Sequence, residues 1–144
     1  MEKRHSIGTA ELIRRATELA DQLPANTVFI GFSMGASLAE YLALTNRGCR
    51  GAVLISGADD PAEFEAGGWP PGVAVQLHYL EEDPWIDKAQ VDALIAAVSA
   101  KGASIDKFTY PGRGHLFTDP DLPEYDPVST VLLVGRVLEF LAHI

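Results

Sequence analysis

Apolar residues follow two spacings along this chain. Near the start they recur every three or four positions, at Leu12, Ile13, Ala16, Leu19, Ala20 and Leu23. That spacing predicts an amphipathic helix, with Thr9 as its N-cap and Pro24 as its stop. Four later runs, at 27–31, 51–57, 73–79 and 104–110, are short and nearly continuously apolar, the fourth least so. They read as strands, and helical segments separate them. One such segment follows residue 35 and closes at Asn46-Arg47-Gly48. Another runs from about 88 to 100, capped by Asp87 and ended by Gly102. A last one runs from about 128 to 142, with Asp126 as N-cap and Pro127 at its first position. In that last helix Val131, Leu132, Leu138 and Leu141 are expected to form the buried stripe. Strands without polar alternation, separated by helices, predict an α/β fold of about four parallel strands with helices on both faces. At 144 residues the chain is expected to be a single domain, 1–144.

In open parallel sheets reactive groups collect in the loops after the strands. After the first strand stands Gly31-Phe32-Ser33-Met34-Gly35, a Gly-x-Ser-x-Gly turn between strand and helix. This is the setting of a nucleophile elbow. The two glycines are expected to remove Cβ clashes in the tight turn. Ser33 would then sit at its tip, with the Met34 N–H aimed at a developing oxyanion. After the third strand stand Glu81, Glu82 and Asp83, and after the fourth stands Pro111-Gly112-Arg113-Gly114-His115. A serine hydroxyl needs a base that titrates near neutrality, and imidazole is one. A carboxylate then fixes the imidazole tautomer and stabilises its protonated form. Serine, acid and histidine thus fall at the ends of three strands, with three acids competing for the middle role. The ordinary alternatives are a surface histidine, a turn-capping aspartate and an architectural Gly-Ser turn.

Composition narrows the classes. The formal net charge is −9 with no Lys/Arg cluster, so a nucleic-acid partner is not expected. No apolar run reaches membrane-spanning length. The first residues carry charge without an apolar stretch behind it, so neither a secretory signal nor a membrane partner is expected. One cysteine, Cys49, allows no internal disulfide and fits a cytoplasmic location; it reads as a small buried hydrophobe. His5 and His143 read as exposed terminal residues and His78 as packed within a strand. Asp119, Asp121, Glu124 and Asp126 read as a solvated acidic loop, so no metal and no cofactor is expected.

The segments Gly-Phe-Ser-Met-Gly (31–35), Glu-Asp-Pro-Trp (82–85) and Tyr-Pro-Gly-Arg-Gly-His-Leu-Phe (110–117) resemble the dienelactone hydrolase family of the α/β-hydrolase superfamily. The last is close to the family's Tyr-x-Gly-x-x-His-x-Phe pattern. The resemblance implies Ser33 as nucleophile, Asp83 rather than Glu81 or Glu82 as triad acid, and His115 as base. Dienelactone hydrolases commonly carry cysteine as nucleophile; serine is similar to the esterase-type relatives. The implied activity is cleavage of a carboxylic ester or lactone through an acyl-enzyme. Phe32, Trp85 and Phe117, with Trp69, are expected to line an apolar acyl pocket.

The resemblance also implies a truncated fold. Family members usually begin with further strands, and one of their loops supplies a second oxyanion N–H. Here the nucleophile strand is expected on a sheet edge, to be covered by a second copy, by residues 1–8 or by another partner. A homodimer near the 27–31 edge is the leading expectation. A non-catalytic hydrolase-like module and one half of a split hydrolase are the alternatives.

Overall fold

A computed structural model describes residues 8–144 of the chain. His5 and most of the segment 1–8 lie outside the described residues. Helix α1 (Thr9–Ala20) leads to β1 (Thr27–Phe32), α2 (Met34–Thr45) and β2 (Cys49–Ile55). A short 3-10 turn (Pro61–Phe64) precedes β3 (Ala74–Glu82), α3 (Lys88–Ala100), β4 (Ile105–Arg113) and α4 (Pro127–His143). All pairings are parallel, and the strand order is β1-β2-β3-β4. Strand β1, which leads into Ser33, is therefore an edge. The opposite edge, β4, carries Asp106 and Lys107, charges that discourage further pairing; β1, Thr-Val-Phe-Ile-Gly-Phe, carries none.

Two cores lie on the two faces of the sheet. Ala52, Leu54, Val75, Leu77 and Tyr79 point toward α1, α2 and α3 and meet Ala36, Ala43, Val91, Leu94 and Val98. Their strand neighbours Val53, Ile55, Ala74 and Leu80 point the other way and meet Leu133 and Phe140 of α4. This two-residue alternation explains why the strands read as unbroken apolar runs: both faces are covered. The α4 face also holds a polar group. His78 is fully buried, with Nε2 on Gln76 Oε1 and Nδ1 on the Tyr110 hydroxyl, each at 2.8 Å. Burial, reinforced by the Arg136 charge, lowers its pKa to about 4, so it is a neutral structural residue.

Several expectations are corrected. The α1 N-cap is Gly8, not Thr9, and the helix proper ends at Ala20; Leu19 and Leu23 are exposed. On α4 the expected buried stripe faces outward, Val131 being 72% and Leu138 61% exposed, while Ser129, Leu133 and Phe140 are buried. The cause is the cap. Asp126 donates its N–H to the Phe117 carbonyl at 2.8 Å, and its carboxylate accepts from the Ser129 N–H and hydroxyl. That anchoring rotates the Ser129–Leu133 face onto the sheet. Trp69 is buried, its indole N–H donating to the Val73 carbonyl at 2.9 Å; it is a core residue.

Candidate active site

Ser33 sits between β1 and α2 at φ 52°, ψ −117°, a left-handed backbone that a non-glycine residue adopts only under constraint. The constraint is visible. A Cβ on Gly31 would stand 1.9 Å from the Gly35 carbonyl oxygen, so only glycine lets the strand end and the first helical turn approach this closely. Gly35 does not share this role, since a Cβ there would meet nothing within 4 Å. The turn is also held from β2, where the Ile55 carbonyl accepts the Ser33 N–H at 2.8 Å. Gly57 lies so close that a Cβ on it would be 2.7 Å from the Ser33 carbonyl oxygen.

The Ser33 hydroxyl does not cap α2. It lies 2.6 Å from His115 Nε2, and His115 Nδ1 lies 2.8 Å from Asp83 Oδ2. Asp83 follows β3 directly and its side chain is fully buried. Its other oxygen accepts the Trp85 N–H at 2.8 Å. An ionised carboxylate only accepts, so the Nδ1 proton points at Asp83 and Nε2 is left free to accept from Ser33. Glu81 and Glu82 are exposed residues at the end of β3. His115 is presented by a backbone that needs glycine: Gly112 has φ 121° and Gly114 φ 148°, and a Cβ on Gly114 would strike Glu124.

One contributor has no counterpart in the sequence reading. Ser56, immediately after β2, is buried, adopts φ 55°, and donates its hydroxyl to the His115 backbone carbonyl at 2.7 Å. The only hint in the sequence is a Ser-Gly pair at a strand end. β1 and β4 are three strand spacings apart, about 14 Å. The His115 loop must lean across the strand ends to reach Ser33. It is held by Asp83 from β3 and Ser56 from β2 on the way, so each of the four strands contributes one group.

Around this line the expected aromatic residues divide. Phe32 and Trp85 are exposed, Trp85 at 76% and with its ring centroid 6.0 Å from that of His115. Phe117 is fully buried against Tyr110 in the α4 core, so it cannot face a substrate. The loop after His115 turns its ring inward beneath α4. As the first residue of α2, Met34 has an N–H without an intrahelical partner. Among the described residues no cluster of three His, Cys, Asp or Glu side chains is arranged to hold a metal ion. Glu124 accepts the Leu116 N–H at 2.8 Å, Asp119 accepts from Asp121, and Asp126 caps α4, so this acidic loop bonds to its own backbone. Cys49 is buried, which raises its thiol pKa to about 11.

Strand-turn-helix elbow, parallel sheet and flanking helices define an α/β-hydrolase-like fold. Comparison with known proteins narrows the class. The model of the dienelactone hydrolase family matches residues 2–144, and the chain belongs to that family. No curated protein matches it. Among solved structures, a putative dienelactone hydrolase from Klebsiella pneumoniae subsp. pneumoniae is 20% identical with a TM-score of 0.65, covering 81% of this chain and 52% of its own. A dienelactone hydrolase-like promiscuous phosphotriesterase from metagenomic libraries is 16% identical with a TM-score of 0.67, covering 99% and 64%. A Bacillus cereus carboxylesterase is 24% identical with a TM-score of 0.62, covering 93% and 58%. At these identities the likeness is one of fold. The chain spans about half to two thirds of the length of these structures. Among the described residues no helix is long and apolar enough to cross a membrane.

Proposed function

We propose that this protein is a serine esterase that cleaves a carboxylic ester or lactone. The observation that carries the proposal is the unbroken line Asp83 Oδ2, His115 Nδ1, His115 Nε2, Ser33 Oγ, with steps of 2.8 and 2.6 Å. Ser33 Oγ attacks the carbonyl carbon while its proton passes to His115 Nε2. The Met34 N–H holds the resulting oxyanion. The tetrahedral species collapses, the bond to the leaving oxygen breaks, and His115 returns the proton to that oxygen. Water then attacks the acyl-Ser33, giving its proton to His115. The acid departs as Ser33 Oγ regains that proton. In a lactone the leaving alcohol stays tethered to the acid. Asp83 keeps the imidazole oriented and stabilises its cationic form without taking a proton. Phe32 adjoins Ser33 in the chain, Trp85 lies beside His115, and both offer exposed apolar surface to a substrate. The lone buried cysteine supports a cytoplasmic location.

The test is labelling by a fluorophosphonate probe, which reports an activated serine without a known substrate. Wild-type protein should label and Ser33→Ala should not. His115→Ala should slow turnover on the order of 10³-fold or more, and Asp83→Asn should be severe, through the wrong tautomer. Glu82→Gln should have little effect. A folded wild-type protein that does not label would overturn the proposal in favour of a non-catalytic module.

A second reading concerns assembly. Ile30, at 45% exposure, and Phe32 lie on β1, and an apolar groove of about 440 Å³ runs along this edge and α2, lined by Phe29, Gly31, Leu38 and Leu42 among others. An uncharged edge left unpaired among the described residues, on a chain of net charge −9, supports pairing at β1. The working form we propose is a homodimer about this edge.

A further inference from the structure

The structure holds a second apolar space close to Ser33, and we infer that it is the slot for the acyl chain of the substrate. It measures about 70 Å³ and lies between α1, α2 and the 3-10 turn. Leu12 and Ile13 of α1, Met34, Leu38 and Tyr41 of α2, and Phe64 form its wall. This inference rests on the esterase reading and adds a substrate class to it. The position follows from the helix. Met34 is the residue after Ser33 and supplies the oxyanion N–H. Ser37, which also lines the slot, is one turn, about 5–6 Å, along α2 from Ser33. An acyl carbon bonded to Ser33 Oγ with its oxygen at the Met34 N–H would therefore have its chain beside the slot's mouth. Met34 is itself partly exposed. The Tyr41 and Phe64 rings, whose centroids are 5.9 Å apart, form part of the wall.

Size and polarity define the occupant. With one water-sized group taking roughly 15–30 Å³, the slot holds about two to five carbons. Among the described residues its wall offers no charged group, and the chain's net charge of −9 opposes an anionic acyl group. A short, unbranched, uncharged acyl chain fits; a long fatty chain or a dicarboxylic half-ester does not. Buried methylene groups raise specificity about fourfold each.

The test is a series of p-nitrophenyl esters from acetate to decanoate, run on wild type and on Ile13→Trp, which fills the slot from α1 without touching the triad. Wild-type kcat/KM should rise roughly fifteenfold from acetate to butyrate and fall again at octanoate. Ile13→Trp should lose that rise, its kcat/KM for butyrate falling to within about twofold of its own value for acetate. A flat wild-type profile, or one that Ile13→Trp leaves unchanged, would overturn the slot while leaving the esterase reading intact. A second measurement does not need catalysis. In a Ser33→Ala, Ile13→Cys protein, the unreactive amide N-(4-nitrophenyl)butanamide should slow alkylation of the new thiol and N-(4-nitrophenyl)decanamide should not. Equal protection by both, or by neither, would also reject the slot.

Discussion

Glu40 offers the sharpest physical test of this fold. It lies on α2, two turns from the elbow, and is fully buried. Its Oε2 accepts the Asp59 N–H at 3.0 Å; Oε1, like Asp59 Oδ2, is buried without a hydrogen-bond partner among the described residues. Burial, opposed by the bond from Asp59 N–H and reinforced by the charges of Asp59, Asp60 and Glu63, raises its pKa from 4.5 to about 8. The native state therefore keeps a proton that the unfolded state has already lost. Stability falls as pH rises from about 4.5 and levels off above about 8. At 1.36 kcal/mol per unit, the displacement is worth on the order of 5 kcal/mol when complete. Glu40→Gln keeps an oxygen for the Asp59 N–H and removes the ionisation. Urea unfolding at pH 5.5 and 8.5 measures the outcome. The stability gap between Glu40→Gln and wild type should widen by about 3 kcal/mol between the two pH values, a midpoint shift of roughly 1.5 M urea. Parallel pH profiles for the two proteins would refute the reasoning.

Two further outcomes follow from the site and the edge. Ser56→Gly accepts the φ of 55° and deletes only the hydroxyl on the His115 carbonyl, so it should slow fluorophosphonate labelling about tenfold or more and alter its pH profile; an unchanged rate and profile would show that the bond does not position His115. Light scattering at micromolar concentration should give twice the monomer mass for wild type and the monomer mass for Ile30→Lys, whose charge opposes edge pairing; a monomeric wild type rejects the dimer.

The strand-helix order, the caps at Asp87 and Asp126, and the placement of Ser33, Asp83 and His115 after three strands were all legible in the sequence. Each is written in local pattern: an apolar run, a capping residue, a glycine-rich turn. What could not be read is set by tertiary contact. Helix α4 carries apolar residues around most of its circumference, so its periodicity cannot choose between the Val131–Leu138 side and the Leu133–Phe140 side. The bonds at Asp126 choose. Phe117 and Phe32 look equivalent as aromatic neighbours of site residues, yet one is fully buried and the other 49% exposed. Ser56 meets His115 across 59 positions, and Glu40 meets Asp59 across 19; neither pair has a local signature.

The four-strand construction of the site makes its weakest member predictable. Asp83 and Ser56 follow β3 and β2, which are bonded on both sides. His115 follows β4, an edge strand whose loop is tied back by both of them. Ser33 follows β1, which among the described residues is bonded to β2 alone. Edge strands open more readily than central ones, because fewer contacts must break at once. Fraying of β1 would carry Ser33 away from a His115 that stays held by Asp83 and Ser56. Any polypeptide that pairs with β1 would raise the fraction of molecules in which Ser33 Oγ faces His115 Nε2, whether or not it adds a group of its own to the site. In the proposed dimer, reactivity would thereby depend on the pairing of one strand.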